Sequence, residues 1–206
     1  SFHGMLHIIR SDIGCVEEAN YTVHRSREQS FTTNLFHASG VLRDCTIQNQ
    51  NMDSGRSSFA PKLVGGSNLF DGHVGKLPIS ASVNFSSIAC CLGSGGQANY
   101  AAANEQLDRM SERCRQTGIH SVSIQWGAWR GGGMASPSVV ARLERSGVGA
   151  IHPQDGLNAL CSLLTSSHDT CQMCISTALV SPFDWNRFKS REGIFQSVRS
   201  VVTDKD

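Results

Sequence analysis

The sequence predicts an α/β fold with a mostly parallel sheet. Short apolar segments with strand-like alternation are separated by longer segments whose apolar residues recur at helical spacing, and the connections are short. Parallel pairing follows because each helix returns the chain to the start of the next strand. Ligands of such folds bind outside the carboxyl ends of the strands. We therefore expect functional residues where strands end.

Five apolar segments of strand length are bounded by turn-forming residues. The predicted strands are Leu6–Ile9, Asn34–Ala38, Ile79–Phe85, His120–Trp126 and Gln172–Val180. Helical spacing predicts a first helix that begins at Asp12 or Gly14, with Val16, Ala19 and Val23 on its inner side. After a loop and a polar stretch as far as Ser58, further helices are predicted over Phe59–Phe70, Gln97–Thr117, Ser138–Arg145 and Gln154–Leu164.

Composition limits the possible function. With 206 residues, of which 39% are hydrophobic and 17% charged, the chain suits one soluble domain. A net charge of +1 gives no basic surface for nucleic acid, and no apolar run is long enough to span a membrane. The eight cysteines are placed poorly for a disulfide framework, so we expect a reduced, cytoplasmic protein.

The stretch from Val83 to Asn104 carries the strongest functional signal. Ser87 ends an apolar strand, and Tyr100 opens the helix that follows a glycine-rich turn. Tyr100 and Asn104 are four residues apart and therefore share one helix face. A hydroxyl, a phenol and an amide that meet at the edge of a sheet suit proton transfer.

Each of these residues also has a structural interpretation. Ser87 could close the strand turn, Tyr100 could be a half-buried helix residue, and Lys62 could be a solvated one. His37 is expected to contribute to packing. The Cys171–Cys174 pair has the spacing of a metal or redox site, but alternation along a strand would separate its thiols, so no metal site is predicted.

Five linked motifs resemble the ketoreductase domain of type I polyketide and fatty acid synthases, a branch of the short-chain dehydrogenase/reductases. The resemblance covers nearly the whole chain, with a domain over residues 1–188 and a tail or linker over residues 189–206. The motifs are Phe36–Leu42, Ala60–Lys62, Phe85–Ser87, Gly96–Asn104 and Gln125–Trp129. In this branch the lysine and asparagine have exchanged places, which matches Lys62 and Asn104.

The resemblance implies a catalytic role for four residues. Tyr100 would donate a proton to the substrate carbonyl, and Lys62 would stabilise the phenolate left behind and hold the cofactor ribose. Ser87 would hydrogen-bond the developing oxyanion, and Asn104 would orient the lysine or a relay water. A nicotinamide would supply the hydride, because no side chain can deliver one, and the resemblance implies that this cofactor is NADPH.

The resemblance also implies binding roles. The expected cofactor-binding residues are Asp12, Ile13, Ala38, Ser39, Gly40, Lys62, Tyr100, Trp126 and Gly127. The substrate would be guided by Asp44, Leu92 and Asn99, a pattern that favours the D-hydroxyl product. Asp44 could alternatively be only a turn residue.

A phosphate-binding loop of the G-x-G-x-x-G type is missing from this sequence before Leu6–Ile9. Glycine-rich loops occur only downstream, at Gly93–Gly96 and Gly131–Gly133. In a Rossmann-like doubly wound sheet, Leu6–Ile9 and Asn34–Ala38 would be the third and fourth strands, with two absent strands between them. We therefore expect an incomplete sheet, a fragment of a longer chain, and weak NADPH binding by the fragment alone.

Two functional hypotheses follow. The first is an NADPH-dependent reductase of β-ketoacyl thioesters held by acyl carrier protein, with other synthase domains as partners. The second is a truncated, non-catalytic ketoreductase remnant that serves as a scaffold or interaction surface. The four catalytic-type residues favour the first hypothesis, and the missing phosphate loop favours the second.

Overall fold

The computed structural model describes residues 7–28, 33–73, 79–165 and 175–188. The strands are β1 (Thr33–His37), β2 (Ile79–Ser87), β3 (Ser121–Trp126) and β4 (Thr177–Val180). The helices are α1 (Val16–Arg27), α2 (Met52–Phe59), α3 (Gly65–His73), α4 (Ala89–Leu92), α5 (Ala98–Gln116), α6 (Pro137–Arg145), α7 (Pro153–Thr165) and α8 (Trp185–Phe188). A 3-10 turn spans Ile47–Asn49.

The described strands form one parallel sheet in the order β1-β2-β3-β4, which confirms the predicted α/β class. Because all strands run in one direction, their carboxyl ends meet at one edge. Ser87 at the end of β2 is in register with Trp126 at the end of β3. The functional segments predicted to follow β1 and β2 therefore lie at the same edge.

The long helix α5 packs against β2 and β3. Ala103, Leu107 and Cys114 on the inner face of α5 are buried. Every residue of β3 is buried as well: the strand lies between β2 and β4, and α5 packs against it. This packing fixes the direction of α5, whose first turn carries Tyr100.

Two predictions near the amino terminus are wrong. Residues 7–10 form no strand, and Ile8 is 88% exposed. An apolar segment becomes a strand only with a hydrogen-bonding partner, and none of the described strands pairs with it; Leu6 lies outside the described residues. In α1, Ala19 and Val23 are buried as predicted, but Val16 begins the helix and is 48% exposed.

The polar stretch before Ser58 contains helix α2, which the sequence reasoning missed. Asn51 caps it: its side chain accepts a hydrogen bond from Ser54 N, and the Ser54 hydroxyl accepts one from Asn51 N. The chain then passes through a π-helical turn, Ala60–Val64, into α3. The predicted helix over Phe59–Phe70 is therefore the second half of a longer helical segment.

The carboxyl-terminal predictions are partly confirmed. Strand β4 covers the end of the predicted Gln172–Val180 segment, whereas Cys171 and Cys174 lie outside the described residues. Helix α7 is present where the sequence predicted a helix over Gln154–Leu164, and its Leu157 is 51% exposed. Helix α6 is confirmed, with the hydroxyl of Ser136 as its cap.

The chain divides into two compact units. The first comprises residues 1–126 and 156–180 and contains the sheet; the second comprises residues 127–155 and 181–206. Within the second unit, Phe183, Trp185 and Phe188 form an aromatic cluster with ring centroids 5.0–5.9 Å apart. None of the helices in the described ranges combines the length and the apolar content that a membrane crossing needs.

Candidate active site

Three of the predicted catalytic side chains meet where β2 ends. Ser87 is the last residue of β2, Tyr100 lies in the first turn of α5, and Asn104 follows one turn later. Burial raises the pKa of the Tyr100 phenol, and hydrogen bonding from the Asn104 and Ser87 side chains opposes that rise. The Ser87 hydroxyl also accepts a hydrogen bond from Ala89 N at 3.2 Å, so it closes the turn as well.

Lys62 brings a buried cation to the same place from a different helical segment. Its side chain is 3% exposed, and Nζ donates to the Phe85 carbonyl at 2.9 Å. Nζ also lies 5.5 Å from the centroid of the Tyr100 ring. Burial lowers the pKa of Lys62 to about 8, and the negative charge of Asp108 opposes this effect. At neutral pH the ammonium form therefore still predominates.

The π-helical turn sets the position of Lys62. The N–H of Gly65 reaches back five residues to the Ala60 carbonyl, which widens the backbone around Lys62. Pro61 in this turn lacks an N–H and therefore cannot complete a regular α-helical ladder. π-Turns within α-helices occur frequently at functional sites.

His37, for which the sequence predicted packing, bonds to this turn. Its Nε2 lies 3.1 Å from the Lys62 carbonyl oxygen. A carbonyl only accepts, so Nε2 carries the hydrogen. Burial lowers the pKa of His37 to about 4, which keeps the ring neutral. His37 at the end of β1 thus fixes the backbone from which the Lys62 side chain extends.

Asn104 has one side-chain atom in use and one without a partner. Its Nδ2 donates to the Tyr100 carbonyl at 2.8 Å, which ties the amide to the preceding turn of α5. Its Oδ1 is buried and has no hydrogen-bond partner within the described part of the chain. A buried acceptor without a donor is costly, so this atom is a natural position for a water or a ligand donor.

Two of the three predicted substrate-guiding residues help to hold one loop against α5. Asn99 is buried and donates from Nδ2 to the Arg43 carbonyl at 2.9 Å and to Ser58 Oγ at 3.0 Å. Asp44 accepts a hydrogen bond from Gln97 Nε2 at 2.9 Å. The sequence reasoning missed Gln97, although its place just before α5 marked it as a residue that could reach the preceding loop.

Leu92, the third residue predicted to guide the substrate, does not belong to this loop. It ends the short helix α4 and is half-buried.

Apart from Lys62 and Tyr100, the predicted cofactor-binding residues fall into three groups. Ala38, Ser39 and Gly40 follow β1 at the functional edge, and Trp126 ends β3 there with its ring centroid 5.7 Å from that of Phe85. Gly127 begins the second unit. The third group is the pair Asp12 and Ile13, in the turn before α1.

The turn before α1 is held by local contacts. Asp12 Oδ1 accepts from Gly14 N at 2.9 Å, and the Ile13 carbonyl accepts from Asn68 Nδ2 of α3 at 2.9 Å. Asp12 is exposed. Its observed bonds are therefore those of a turn residue, and its role towards a cofactor stays a prediction.

Comparison with known proteins identifies the family. The family model for the KR domain matches residues 3–131. The chain belongs to the KR domain family. It is 34% identical over 182 residues to polyketide synthase GfsA of Streptomyces halstedii, which covers 88% of this chain and 2% of the synthase. This confirms the predicted resemblance to ketoreductases of type I polyketide synthases.

Solved structures confirm the fold of this KR domain. A-type ketoreductases from a modular polyketide synthase match with a TM-score of 0.78 and 32% identity over 88% of this chain and 37% of theirs. A short-chain dehydrogenase from Streptomyces avermitilis matches with a TM-score of 0.68 and 16% identity over 88% of this chain and 72% of its own. The chain thus has the Rossmann-like short-chain dehydrogenase fold and spans little more than a third of the solved ketoreductase chain.

Proposed function

We propose that this KR domain carries the catalytic residues for the NADPH-dependent reduction of a β-ketoacyl thioester to a β-hydroxyacyl thioester. The observation that carries the proposal is the meeting of a buried ammonium with a phenol: Lys62 Nζ lies 5.5 Å from the Tyr100 ring centroid. A phenol is a weak acid with a pKa of about 10, and a nearby cation stabilises the phenolate it leaves behind.

The chain's own residues account for the proton transfer. Tyr100 donates its proton to the oxygen of the ketone, and Lys62 stabilises the resulting phenolate. Ser87, whose hydroxyl lies near the phenol, holds the ketone oxygen in place. Burial raises the pKa of Tyr100, so the phenol is protonated before the reaction, as an acid must be.

The residues present fit the nicotinamide and ribose of NADPH, which would supply the hydride. Lys62 Nζ donates to the Phe85 carbonyl, and an ammonium has further N–H donors for ribose hydroxyl groups. The partnerless Asn104 Oδ1 would accept from a relay water or from the lysine. Ala38, Ser39 and Gly40 leave β1 at the edge where ligands of this fold bind.

The proposed substrate and carrier are those that would suit a domain of a polyketide synthase. We propose that acyl carrier protein presents the thioester and that other synthase domains are the remaining partners, because the relatives are large polyketide synthases. The loop that carries Asp44, bonded to Gln97 and Asn99, lies against the first turn of α5. We propose that this loop and Leu92 guide the ketone towards the D-hydroxyl product.

The test is turnover by the complete protein. Incubated with NADPH and a β-ketoacyl thioester, it should oxidise the cofactor and form the β-hydroxyacyl thioester, with the D configuration on chiral chromatography. An L product would overturn only the stereochemical proposal. A folded protein that binds NADPH without turning over would contradict the catalytic proposal and support a non-catalytic remnant.

A further inference from the structure

A second buried charge lies on the helix face that carries Tyr100 and Asn104. Asp108 follows Asn104 by one further turn of α5 and is 6% exposed. The sequence reasoning did not consider it, although a carboxylate at this spacing shares the face of the two catalytic-type residues. Burial of an unpaired carboxylate is costly, so a buried aspartate is expected to have partners in the folded protein.

Hydrogen bonds from three donors surround the Asp108 carboxylate. Ser123 Oγ donates to Oδ1 at 2.5 Å, and Gln125 Nε2 donates to Oδ2 at 2.8 Å, both from β3. Cys90 Sγ of α4 also donates to Oδ2, at 3.3 Å. Donors on both oxygens suit an ionised carboxylate, which only accepts. They also fasten α5 to β3 and to the segment that follows Ser87.

This donor shell argues against a metal site. Ligand atoms of Cys90, Glu105 and Asp108 lie within 4.8 Å of one another. A cation at that point would have to displace hydrogen bonds that both Asp108 oxygens already accept. The carboxylate is therefore held by hydrogen bonds, and its charge can act on a group that it does not contact directly.

Two adjacent strands bring Lys62 and Asp108 close together. Lys62 Nζ donates to the Phe85 carbonyl of β2, and Phe85 is in register with Ile124 of β3. The residues on either side of Ile124, Ser123 and Gln125, donate the hydrogen bonds that hold the Asp108 carboxylate.

Four titratable side chains surround the Lys62 ammonium. The titratable groups that face Lys62 from the packed elements are Tyr100 and Asp108 of α5, Cys90 of α4 and His37 of β1. Burial raises the pKa of Cys90 to about 12 and lowers that of His37 to about 4, so both are neutral near pH 7. Asp108 is therefore the group whose negative charge opposes the lowering of the Lys62 pKa by burial.

We propose that Asp108 is a positioning residue of the active site, whose buried carboxylate is the counter-charge that keeps Lys62 in its ammonium form. It acts through Lys62 and touches neither substrate nor cofactor. The inference rests on the proposed function for its consequence in catalysis. The charge coupling itself is a property of the folded protein and can be measured without turnover.

Two variants separate the effect of the Asp108 charge from the effect of its hydrogen bonds. Asp108→Asn removes the charge and can keep the hydrogen bonds, since its amide oxygen accepts from Gln125 and Cys90 while its NH2 donates to the Ser123 hydroxyl. Ser123→Ala removes one hydrogen bond from the same network and keeps the charge. Glu112→Gln is the control for loss of a carboxylate on the exposed side of α5.

The first measurement is the pH dependence of kcat/KM for thioester reduction by the complete protein. Activity should fall as Lys62 loses its proton, with an alkaline limb that belongs to the coupled Lys62–Tyr100 pair. In Asp108→Asn this limb should move to lower pH by about one unit, with activity approaching the wild-type value at about pH 6. Ser123→Ala and Glu112→Gln should leave the limb in place.

The second measurement needs no activity. Peptide-resolved acetylation of Lys62 by acetic anhydride across a pH series gives its apparent pKa, which should fall in Asp108→Asn and not in the two controls. A limb and a labelling profile that both stay in place would overturn the proposal, as would equal loss of activity at every pH.

The two proposals fail in different ways. The wild-type protein could show no turnover while the labelling profile of Lys62 still shifts in Asp108→Asn. That result would contradict the proposed function and support the charge coupling. If Asp108→Asn does not fold, the wild-type labelling decides: a Lys62 that loses its proton below neutral pH contradicts the role of Asp108.

Discussion

His37 contacts the backbone of Lys62, and the positive charge of Lys62 opposes protonation of the His37 ring. His37 Nε2 donates to the Lys62 carbonyl, and burial lowers the pKa values of both side chains, to about 4 and about 8. A protonated His37 would place a second positive charge beside Lys62. The neutral ring therefore suits a site that already holds a buried ammonium.

We predict that His37 makes the protein less stable in mild acid. Its pKa is about 4 in the folded state against 6.5 for an unperturbed histidine, so between these values the unfolded chain binds more protons. Stability should therefore fall as the pH drops from 6.5 towards 4, by about 3 kcal/mol from this residue.

Urea unfolding across this pH range measures the effect. His37→Gln keeps a donor of similar reach and cannot titrate, so its curve should lack this part of the acid loss. If wild type and variant lose stability in parallel, His37 is not the group responsible.

The sequence predicted some of these residues and not others for a physical reason. Tyr100 and Asn104 share a helix face, which spacing alone reveals. Lys62 could be assigned only through the family resemblance, since one lysine in a helix carries no local signal. His37 and Asp108 depend on contacts with a carbonyl and with side chains far away in sequence, and periodicity contains no information about those contacts.

At the level of elements, the helical segment from α2 to α3 determines where Lys62 lies. Gly65 and Gly66 begin α3 directly after the π-helical turn and are buried. A Cβ on Gly66 would lie 2.9 Å from Met110 Cε and 3.3 Å from the His37 ring. The absence of a side chain thus lets α3 approach both α5 and β1 closely.

We predict opposite effects for alanine at two glycines of this segment. Gly66→Ala should destabilise the protein by about 1 kcal/mol, because the buried His37 ring must move, whereas the flexible end of Met110 can shift at little cost. Gly55→Ala in α2, where nothing lies within 4 Å of the added Cβ, should stabilise it by about 0.5–1 kcal/mol.

Thermal unfolding of both variants and wild type provides the measurement. Gly66→Ala should also reduce thioester reduction, since the displaced ring of His37 holds the Lys62 backbone. Equal stabilisation by both substitutions would show that α3 has room at Gly66 and would contradict the close approach.

The elements that the sequence predicted well are those with an apolar pattern of their own. Strands β1, β2 and β3 and the long helix α5 fall within one or two residues of their predicted bounds. Helix α2 is polar, and its cap at Asn51 was its only signal. The predicted strand Leu6–Ile9 is apolar, but among the described residues it has no partner strand.

At the scale of the whole molecule, the site is built from segments far apart in sequence. Lys62 comes from the π-helical turn, Ser87 from β2, and Tyr100 and Asn104 from α5, all within the first compact unit. Parallel pairing brings the ends of β1, β2 and β3 to one edge, as the fold class implied. Weak NADPH binding by the chain alone stays a prediction, because it concerns the phosphate loop.

The most direct test of the account is the replacement of Tyr100 by phenylalanine in the complete protein. The chain has two tyrosines, so Tyr21→Phe in the exposed part of α1 is a matched control. Thioester-dependent NADPH oxidation should fall at least about 100-fold in Tyr100→Phe, with NADPH binding retained, and should be unchanged in Tyr21→Phe. Turnover by Tyr100→Phe at the wild-type rate would contradict the role of the phenol as the proton donor.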